Sequence, residues 1–143
     1  MFSIRSVLRN KESHGIWSVR PDDTVLAAIT RMAERGIGAV LVMEGDQLVG
    51  ILSERDYTRK IILQGRRSAD TKVEEIMTRD VITVPPTMTA REGLELMTAK
   101  FCRHFPVIED GQLIGVVSIG DLVKRVIAEQ DFLIEQLEQY ISG

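Results

Sequence analysis

An internal repeat limits what this chain can fold into more than any other feature of its sequence. At an offset of 65 residues, residues 18–57 align with residues 83–122 without a gap, with 11 identities in 40 positions. The identical pairs include Pro21 and Pro86, Gly50 and Gly115, and Asp56 and Asp121. Such self-similarity indicates two copies of one structural unit. Each copy is too small to bury a full sheet alone, so we expect the copies to pack face to face about a pseudo-two-fold axis.

Each copy predicts the element order β-α-β-β-α. A short apolar segment ends at a proline turn, and a helix capped by Thr24 or Thr89 follows. Gly36 is placed to end the first of these helices. Two apolar runs around an acidic–glycine turn then predict a hairpin, and a second helix begins after Ser53 or Ser118. The predicted strands are residues 16–19, 39–43 and 48–52 in the first copy, and 81–84, 105–108 and 113–117 in the second.

Three segments lie outside the repeated units. Residues 4–8 resemble residues 73–77, so each copy has a similar lead-in, and residues 64–70 are polar enough for an exposed connector. Residues 127–143 carry apolar side chains at helical spacing, with a break expected near Gln130 and Asp131. This extension either covers the module's own core or supplies a dimer contact. The predicted organisation is therefore a first repeat with its lead-in (1–66), a second with its lead-in (67–126) and a helical extension (127–143).

Composition excludes several classes of function. The chain has 18 basic and 21 acidic residues, and a net charge of −3 argues against nucleic-acid and membrane-surface binding. No apolar run approaches the roughly 18 residues that span a bilayer. The N-terminus lacks the apolar core of a secretory signal, so we expect a cytoplasmic protein. One cysteine and two histidines exclude an intrachain disulfide and make a metal site unexpected.

Little in the sequence supports catalysis. Cys102 and His104 could lie side by side on a strand, but a small buried thiol beside an unrelated imidazole explains the pair better than a nucleophile and its base. No glycine-rich phosphate loop is present. We therefore expect a protein that is not an enzyme.

The motif Ser-x-x-Asp occurs at the same place in both copies, where a strand leads into a helix. A carboxylate there can accept two hydrogen bonds from a ribose diol, and the serine suits a phosphate oxygen. Alternatively, Ser53 and Ser118 only cap their helices and the aspartates only complement the helix dipole. Basic side chains that suit phosphate cluster nearby, at Arg55, Arg59, Arg103 and His104, whereas Lys60 is interpreted as part of an exposed helix face.

The duplicated order of several short motifs resembles a known family. They are Val-Glu-Glu-Ile-Met-Thr (73–78), Arg-His-Phe-Pro-Val (103–107), Gly-Val-Val-Ser-Ile-Gly-Asp-Leu (115–122) and, in the first copy, Gly-Ile-Leu-Ser-Glu-Arg-Asp-Tyr (50–57). Each copy resembles a cystathionine-β-synthase (CBS) domain, and the pair, over residues 4–126, resembles a Bateman module. The resemblance implies a non-catalytic α/β regulatory module that forms homodimers. By the same resemblance, the module would bind AMP or NAD(H) in clefts between the repeats, with ADP, ATP and S-adenosylmethionine as alternatives.

The resemblance also implies site residues. Asp56 and Asp121 would bind ribose. Phosphate would be bound by Ser53, Arg55, Arg59, Arg103, His104 and Ser118. Contacts to adenine or through the backbone would come from Ile16, Ser18, Gly38, Ala39, Val81, Thr83, Phe105, Pro106, Ile119 and Gly120.

By the same resemblance, the site residues fall into two clefts. One cleft would combine Ser53, Arg55 and Asp56 with Val81, Thr83, Arg103 and His104. The other would combine Ser118, Ile119 and Asp121 with Ile16, Ser18, Gly38 and Ala39. The alternative function is a protein-interaction module without a physiological nucleotide, and the downstream partner is unknown in either case.

Overall fold

The computed structural model describes residues 2–11 and 17–142 and is a mixed α/β fold. Two compact units divide the chain: a first-repeat unit, Ile16–Val81, and a second-repeat unit, which joins Met1–Gly15 to Ile82–Gly143. The helices are α1 (Ile4–Arg9), α2 (Val25–Arg35), α3 (Glu54–Tyr57), α4 (Ala90–Lys100) and α5 (Ile119–Ser142). The strands are β1 (Ser18–Val19), β2 (Ala39–Glu44), β3 (Gln47–Ser53), β4 (His104–Glu109) and β5 (Gln112–Ser118).

The first-repeat unit is built on a three-stranded sheet in the order β1-β2-β3. Strand β1 runs parallel to β2, and β2 pairs with β3 as the predicted hairpin. The predicted cap of α2 is confirmed, because Thr24 Oγ1 accepts the Ala27 N–H at 3.1 Å, and Gly36 ends the helix at a φ of 64°. A π-helical turn, Thr58–Ile62, follows α3 and buries Ile61 in the core.

The second-repeat unit repeats the hairpin with β4 and β5. The predicted Thr89 cap of α4 is confirmed and forms a capping box, since Thr89 and Glu92 each bond the other's backbone N–H. Gly93 lets α4 approach α5 closely, because a Cβ at this position would lie 2.9 Å from a Leu122 methyl group. Phe105, Val117 and Leu122 are fully buried in the core of this unit.

The strand predicted at residues 81–84 does not form. Only an isolated bridge between Val84 and Val107 remains. In the first repeat, Leu41 donates its N–H to the carbonyl of Trp17 at 3.2 Å and extends the ladder. The repeat equivalent of Leu41 is Pro106, which has no N–H to donate to Ile82. The proline therefore explains why the second unit has a two-stranded sheet.

Each lead-in belongs to the compact unit of the other repeat. Leu8 packs against Gly115 of β5, where an added Cβ would meet its methyl carbon at 2.7 Å. Met77 packs in the same way against Gly50 of β3, with its sulfur 2.6 Å from an added Cβ. Leu8 and Met77 are equivalent in the lead-in alignment. In each unit, therefore, a lead-in packs in the same way against the glycine of the hairpin, although the lead-in precedes the other repeat in sequence.

The break expected near Gln130 and Asp131 is wrong, because α5 is one continuous helix over 24 residues. Neither residue is a strong helix breaker, and no proline or glycine occurs between Asp121 and Ser142. Every residue of α5 from position 130 to 142 is exposed. Within the described parts of the chain, no helix combines the length and the apolar character needed to cross a membrane.

Candidate functional site

Both Ser-x-x-Asp motifs lie at the end of a hairpin and begin a helix. Ser53 Oγ accepts the Asp56 N–H at 3.1 Å, and the Ser53 N–H donates to Asp56 Oδ2 at 3.0 Å. The corresponding bonds of Ser118 and Asp121 measure 3.2 and 2.8 Å. The capping interactions are therefore present in both units. A further role for either aspartate depends on what else reaches its carboxylate.

The Asp56 carboxylate is surrounded by donors of its own unit. Besides the Ser53 N–H, it accepts the Ser53 hydroxyl at 3.1 Å on Oδ2 and the Thr78 hydroxyl at 3.1 Å on Oδ1. Lys60 Nζ lies 3.2 Å from Oδ1 and also donates to the carbonyl of Ile76 at 2.8 Å. Only 11% of the Asp56 side chain is exposed.

The Asp121 carboxylate has fewer donors. Lys11 Nζ lies 3.0 Å from Oδ2 and also donates to the carbonyl of Val116 at 2.8 Å. Among the described residues no donor reaches Oδ1. Burial raises the pKa of Asp121, but the hydrogen bond from Ser118 and the Lys11 ammonium outweigh it, and the net pKa is lowered. Asp121 is therefore a stable anion, and 21% of its side chain is exposed.

Arg103 and His104 lie in the same unit as Asp121. His104 is paired across the hairpin with Ser118, and the carbonyl of Arg103 accepts the Ile119 N–H at 2.8 Å. Burial lowers the pKa of His104, the Lys11 and Arg103 charges lower it further, and Asp121 opposes them. Lys11, Arg103, His104, Ser118 and Asp121 thus form one cluster, which we call the Asp121 site.

In the first-repeat unit the equivalents of Arg103 and His104 are Gly38 and Ala39, which carry no charge. Gly38 accepts the Glu54 N–H at 3.0 Å, and Ala39 pairs with Ser53. The two basic positions beside the Ser-x-x-Asp motif of the second repeat are therefore absent from the first-repeat unit.

The other predicted site residues differ in burial and in the groups that they contact. Ser18 lines a cavity of about 840 Å³ together with charged side chains, and its carbonyl accepts Arg31 at 2.7 Å. Phe105 and Pro106 are buried in the second-repeat unit, whereas Ile119 and Gly120 are exposed in the first turn of α5. The remaining side chains are exposed or half-buried: Arg55, Arg59, Val81 and Thr83. Ile16 lies outside the described residues, and the grouping of residues from both repeats around one ligand stays a prediction.

The sequence interpretation missed three residues. Lys60 is not simply part of an exposed helix face, because it pairs with Asp56 and is only 39% exposed. Its position four residues after Asp56 on a helix was an available signal. Thr78 ends the motif at residues 73–78 and Lys11 belongs to no motif, and both reach the aspartates only through the packing of the lead-ins. Among residues 2–11 and 17–142, no group of three or more histidine, cysteine or acidic side chains could hold a metal ion.

We predict that acidification destabilises this protein through His104. A histidine with a lowered pKa binds its proton more weakly in the folded than in the unfolded chain. The free energy of unfolding should therefore fall as the pH drops from 7.5 through the unfolded pKa of about 6.5 to 5.5. Thermal melts across this pH range measure the change. The dependence of stability on pH should become weaker in His104→Gln and stay as in the wild type in His14→Gln, the control. An unchanged pH dependence in His104→Gln would contradict the role of His104.

Comparison with known proteins gives a consistent result. The family model named CBS domain matches residues 6–63 and again residues 73–128. The mitochondrial CBS domain-containing protein CBSX3 of Arabidopsis thaliana is 44% identical over 141 residues, which cover 94% of this chain and 68% of that protein. A solved structure of a CBS-domain protein from Burkholderia ambifaria, assigned to signal transduction, is 49% identical with a TM-score of 0.86; the match covers 90% of this chain and 96% of that chain.

A more distant structure bears on assembly. A hexameric CBS-CP12 protein from bloom-forming cyanobacteria is 23% identical with a TM-score of 0.76, over 85% of this chain and 70% of that chain. At this identity the likeness shows the fold alone. Proteins with this fold can therefore assemble into oligomers.

Proposed function

This chain belongs to the CBS domain family, and from that premise we propose that it is a non-catalytic regulatory module that senses an adenosine nucleotide, AMP or NAD(H). CBS pairs are regulatory modules, generally non-catalytic, and commonly bind adenosine ligands. The observation that carries the proposal is the unfilled hydrogen-bonding capacity of Asp121. Its carboxylate is ionised and partly exposed, and it has one oxygen that no described donor reaches.

The capacity of Asp121 matches a ribose diol. A carboxylate offers about four lone-pair positions to donors. The Ser118 N–H and the Lys11 ammonium both bond Oδ2, and the Ser118 hydroxyl also lowers the pKa of the carboxyl by hydrogen bonding. The 2′- and 3′-hydroxyls of a ribose bring two further donors, which Oδ1 can accept on its two lone pairs. Hydrogen bonds to an ionised acceptor are among the strong ones, so a diol in this position would gain both affinity and orientation.

The charges around Asp121 suit the phosphate of the same ligand. Lys11 uses two of its three N–H donors on Asp121 and Val116, so one donor is available to an anion. Arg103 is exposed, and His104 lies beside Ser118. A guanidinium binds phosphate oxygens in a bidentate way. The cluster thus offers an acceptor for ribose and donors for phosphate within the second-repeat unit.

A sensor also needs a response. A ligand shifts the population of a protein only when it binds one conformation better than another. We propose that adenosine nucleotide binding does this and that another protein reads the result. ADP, ATP and S-adenosylmethionine are the alternative ligands, and the cytoplasmic location stays a prediction.

A thermal-melt screen tests the proposal. The protein is first shown by mass spectrometry of an acid extract to be free of nucleotide, and is then melted with AMP, ADP, ATP, NAD⁺, NADH or S-adenosylmethionine. Inorganic phosphate is the control. A ligand at 100 times its dissociation constant stabilises by about 2.7 kcal/mol. Absence of a shift with every adenosine compound would overturn the proposal and leave the protein-interaction module as the better function.

We also propose that the assembled form is a homodimer held by α5. Beyond position 129 every described residue of α5 is exposed, and an isolated helix of these 13 residues is marginal in water. Its exposed apolar side chains include Ile127, Ile134 and Ile141 at intervals of seven, with Leu137 beside them. Such a stripe favours pairing with another helix.

Charge complementarity favours a second copy in antiparallel orientation as the partner. Lys124 lies near the beginning of α5, whereas Glu135 and Glu138 lie near its end, and no basic residue follows Arg125. Antiparallel pairing brings Lys124 of one copy to the acidic end of the other, and it also aligns the two helix dipoles favourably. Parallel pairing would instead place the acidic ends together.

Replacing Leu137 by aspartate is expected to dissociate this dimer. In a two-fold interface the substitution occurs twice, and it places a charge in each apolar stripe, so we expect the dimer to weaken roughly 100-fold or more. Sedimentation velocity at several concentrations measures the change. Gln139→Glu, off the apolar stripe on the same helix, is the control and should remain dimeric. A monomeric wild type, or a Leu137→Asp variant as dimeric as the control, would contradict the interface.

A further inference from the structure

We propose that the first-repeat unit carries a further binding site, which takes a small compound with a guanidinium group at one end and a carboxylate at the other. The site is the cavity of about 840 Å³ that Ser18 lines, a volume within the range of small-molecule pockets. Strand β2 pairs with Ser53 at its first residue, Ala39, and reaches the cavity at its last residue, Glu44. These ends of β2 are about 17 Å apart, so the cavity is separate from the Ser-x-x-Asp motif of its unit.

The cavity is lined by charges of both signs. Arg20 is already paired, because its Nε lies 3.2 Å from Asp22 Oδ1 and its backbone N–H donates to Asp23 Oδ2 at 2.8 Å. Within the described parts of the chain, no donor reaches the carboxylate of Glu44 or of Glu74, which both line the cavity. Two carboxylates therefore face this space without a cation.

The second-repeat unit shows which group fits at this place. Glu44 is equivalent to Glu109 in the repeat, and Glu74 is equivalent to Arg5 in the lead-in alignment. The backbone supports the second equivalence, since Glu74 and Arg5 each donate their N–H at 3.0 Å to the carbonyl of the equivalent proline of their unit. In the second-repeat unit the Arg5 guanidinium binds both carboxylate oxygens of Glu109, and this hydrogen bonding lowers the pKa of Glu109.

The first-repeat unit has the carboxylate of this pair without the guanidinium. Glu44 offers the acceptor that Glu109 offers to Arg5, while Glu74 places another carboxylate where Arg5 stands. A guanidinium that enters the cavity would thus find two anionic acceptors, and bidentate hydrogen bonds between these groups are among the strong ones. It would also relieve the repulsion between the two carboxylates.

Arg31 supplies the opposite charge of the site. Its Nη1 donates to the carbonyl of Ser18 at 2.7 Å, and no described acceptor takes its other N–H donors. The equivalents of Arg31 and Asp23 in the second repeat are Leu96 and Met88, which pack against the core of their unit. The first-repeat unit thus has a cation where the second has an apolar side chain. The free donors of Arg31 suit the carboxylate of a ligand whose guanidinium binds the two glutamates.

Titration calorimetry with three related compounds tests the site. Arginine carries both charged groups, agmatine lacks the carboxylate, and citrulline has an uncharged urea group in place of the guanidinium. The wild type should bind arginine with saturable heat below about 10 mM, and it should bind agmatine and citrulline about tenfold or more weakly. Arg31→Gln should remove the difference between arginine and agmatine.

Glu74→Arg tests the comparison between the repeats. It places beside Glu44 the guanidinium that Arg5 places beside Glu109, so arginine binding should be lost while the melting temperature stays equal to that of the wild type or rises. Glu44→Gln should weaken arginine binding about tenfold or more.

The control for both variants is Asp80→Asn, which removes an exposed carboxylate of the same unit outside the cavity. Its affinity for arginine should stay within about threefold of the wild type, because it removes no hydrogen bond to the ligand. The inference would be overturned by equal affinities for arginine and citrulline, by the absence of saturable heat with arginine, or by wild-type arginine binding in Glu74→Arg.

Discussion

An Asp121→Asn variant is expected to bind AMP roughly 100-fold more weakly than the wild type while remaining folded. Two hydrogen bonds from a diol to an ionised acceptor are worth about 1.5–3 kcal/mol each, and the loss of either reduces affinity about tenfold or more. Asparagine cannot replace them, because its amide offers an acceptor on one atom only. It also gives up the charge that attracts Lys11.

The control for this variant is Asp110→Asn. Asp110 lies in the turn between β4 and β5 at a φ of 52°, and asparagine adopts this left-handed conformation readily. The substitution changes the net charge by the same amount in the same unit, so it separates the local role of Asp121 from general electrostatics. AMP binding within about threefold of the wild type is expected for Asp110→Asn. The same result for Asp121→Asn would contradict the proposed role.

Replacing Gly50 by valine is expected to lower the free energy of unfolding by about 3 kcal/mol. An added Cβ would lie 2.6 Å from the Met77 sulfur and 3.0 Å from the carbonyl oxygen of Thr78. The sulfur can move, but the carbonyl is held by its backbone bond to Ile51. Overpacking of this kind typically costs 1–3 kcal/mol, and the backbone contact places this case at the upper end. Urea denaturation measures the change.

Substitutions at two other glycines serve as controls for this prediction. At Gly115 an added Cβ meets only the flexible end of Leu8, so Gly115→Val should cost less than Gly50→Val. At Gly120, in α5, the nearest atom is the Ser118 hydroxyl at 3.7 Å, and Gly120→Ala should stabilise by about 0.5–1 kcal/mol because alanine favours the helix. Equal unfolding midpoints for the valine variants and Gly120→Ala would show that the lead-ins do not pack as described.

Much of the local structure was predictable from the repeat. The threonine caps, the glycine end of α2 and both hairpins depend on residues close together in sequence, and local hydrogen bonding decides such features. The predicted strand at residues 81–84 does not form, because of a residue that is distant in sequence. Pro106 was visible in the sequence, but its effect appears only once its partner across the sheet is known.

The exchange of the lead-ins could not be predicted in this way. Residues 4–8 and 73–77 resemble each other, which predicts that both lead-ins dock in the same way. The resemblance does not say which repeat each lead-in packs against. Lys11 and Thr78 reach the aspartates as a consequence of that exchange. The difference between Asp56 and Asp121 therefore arises partly from Lys60, which is visible in the sequence, and partly from the packing of Thr78 and Lys11, which is not.

Titration of AMP into nucleotide-free wild-type protein tests the central claim most directly. The account predicts saturable binding of one AMP per chain, and much weaker binding of 2′,3′-dideoxy-AMP, which keeps the base and the phosphate but lacks the diol. Equal affinity for the two nucleotides, or no saturable heat with AMP or NADH, would contradict it.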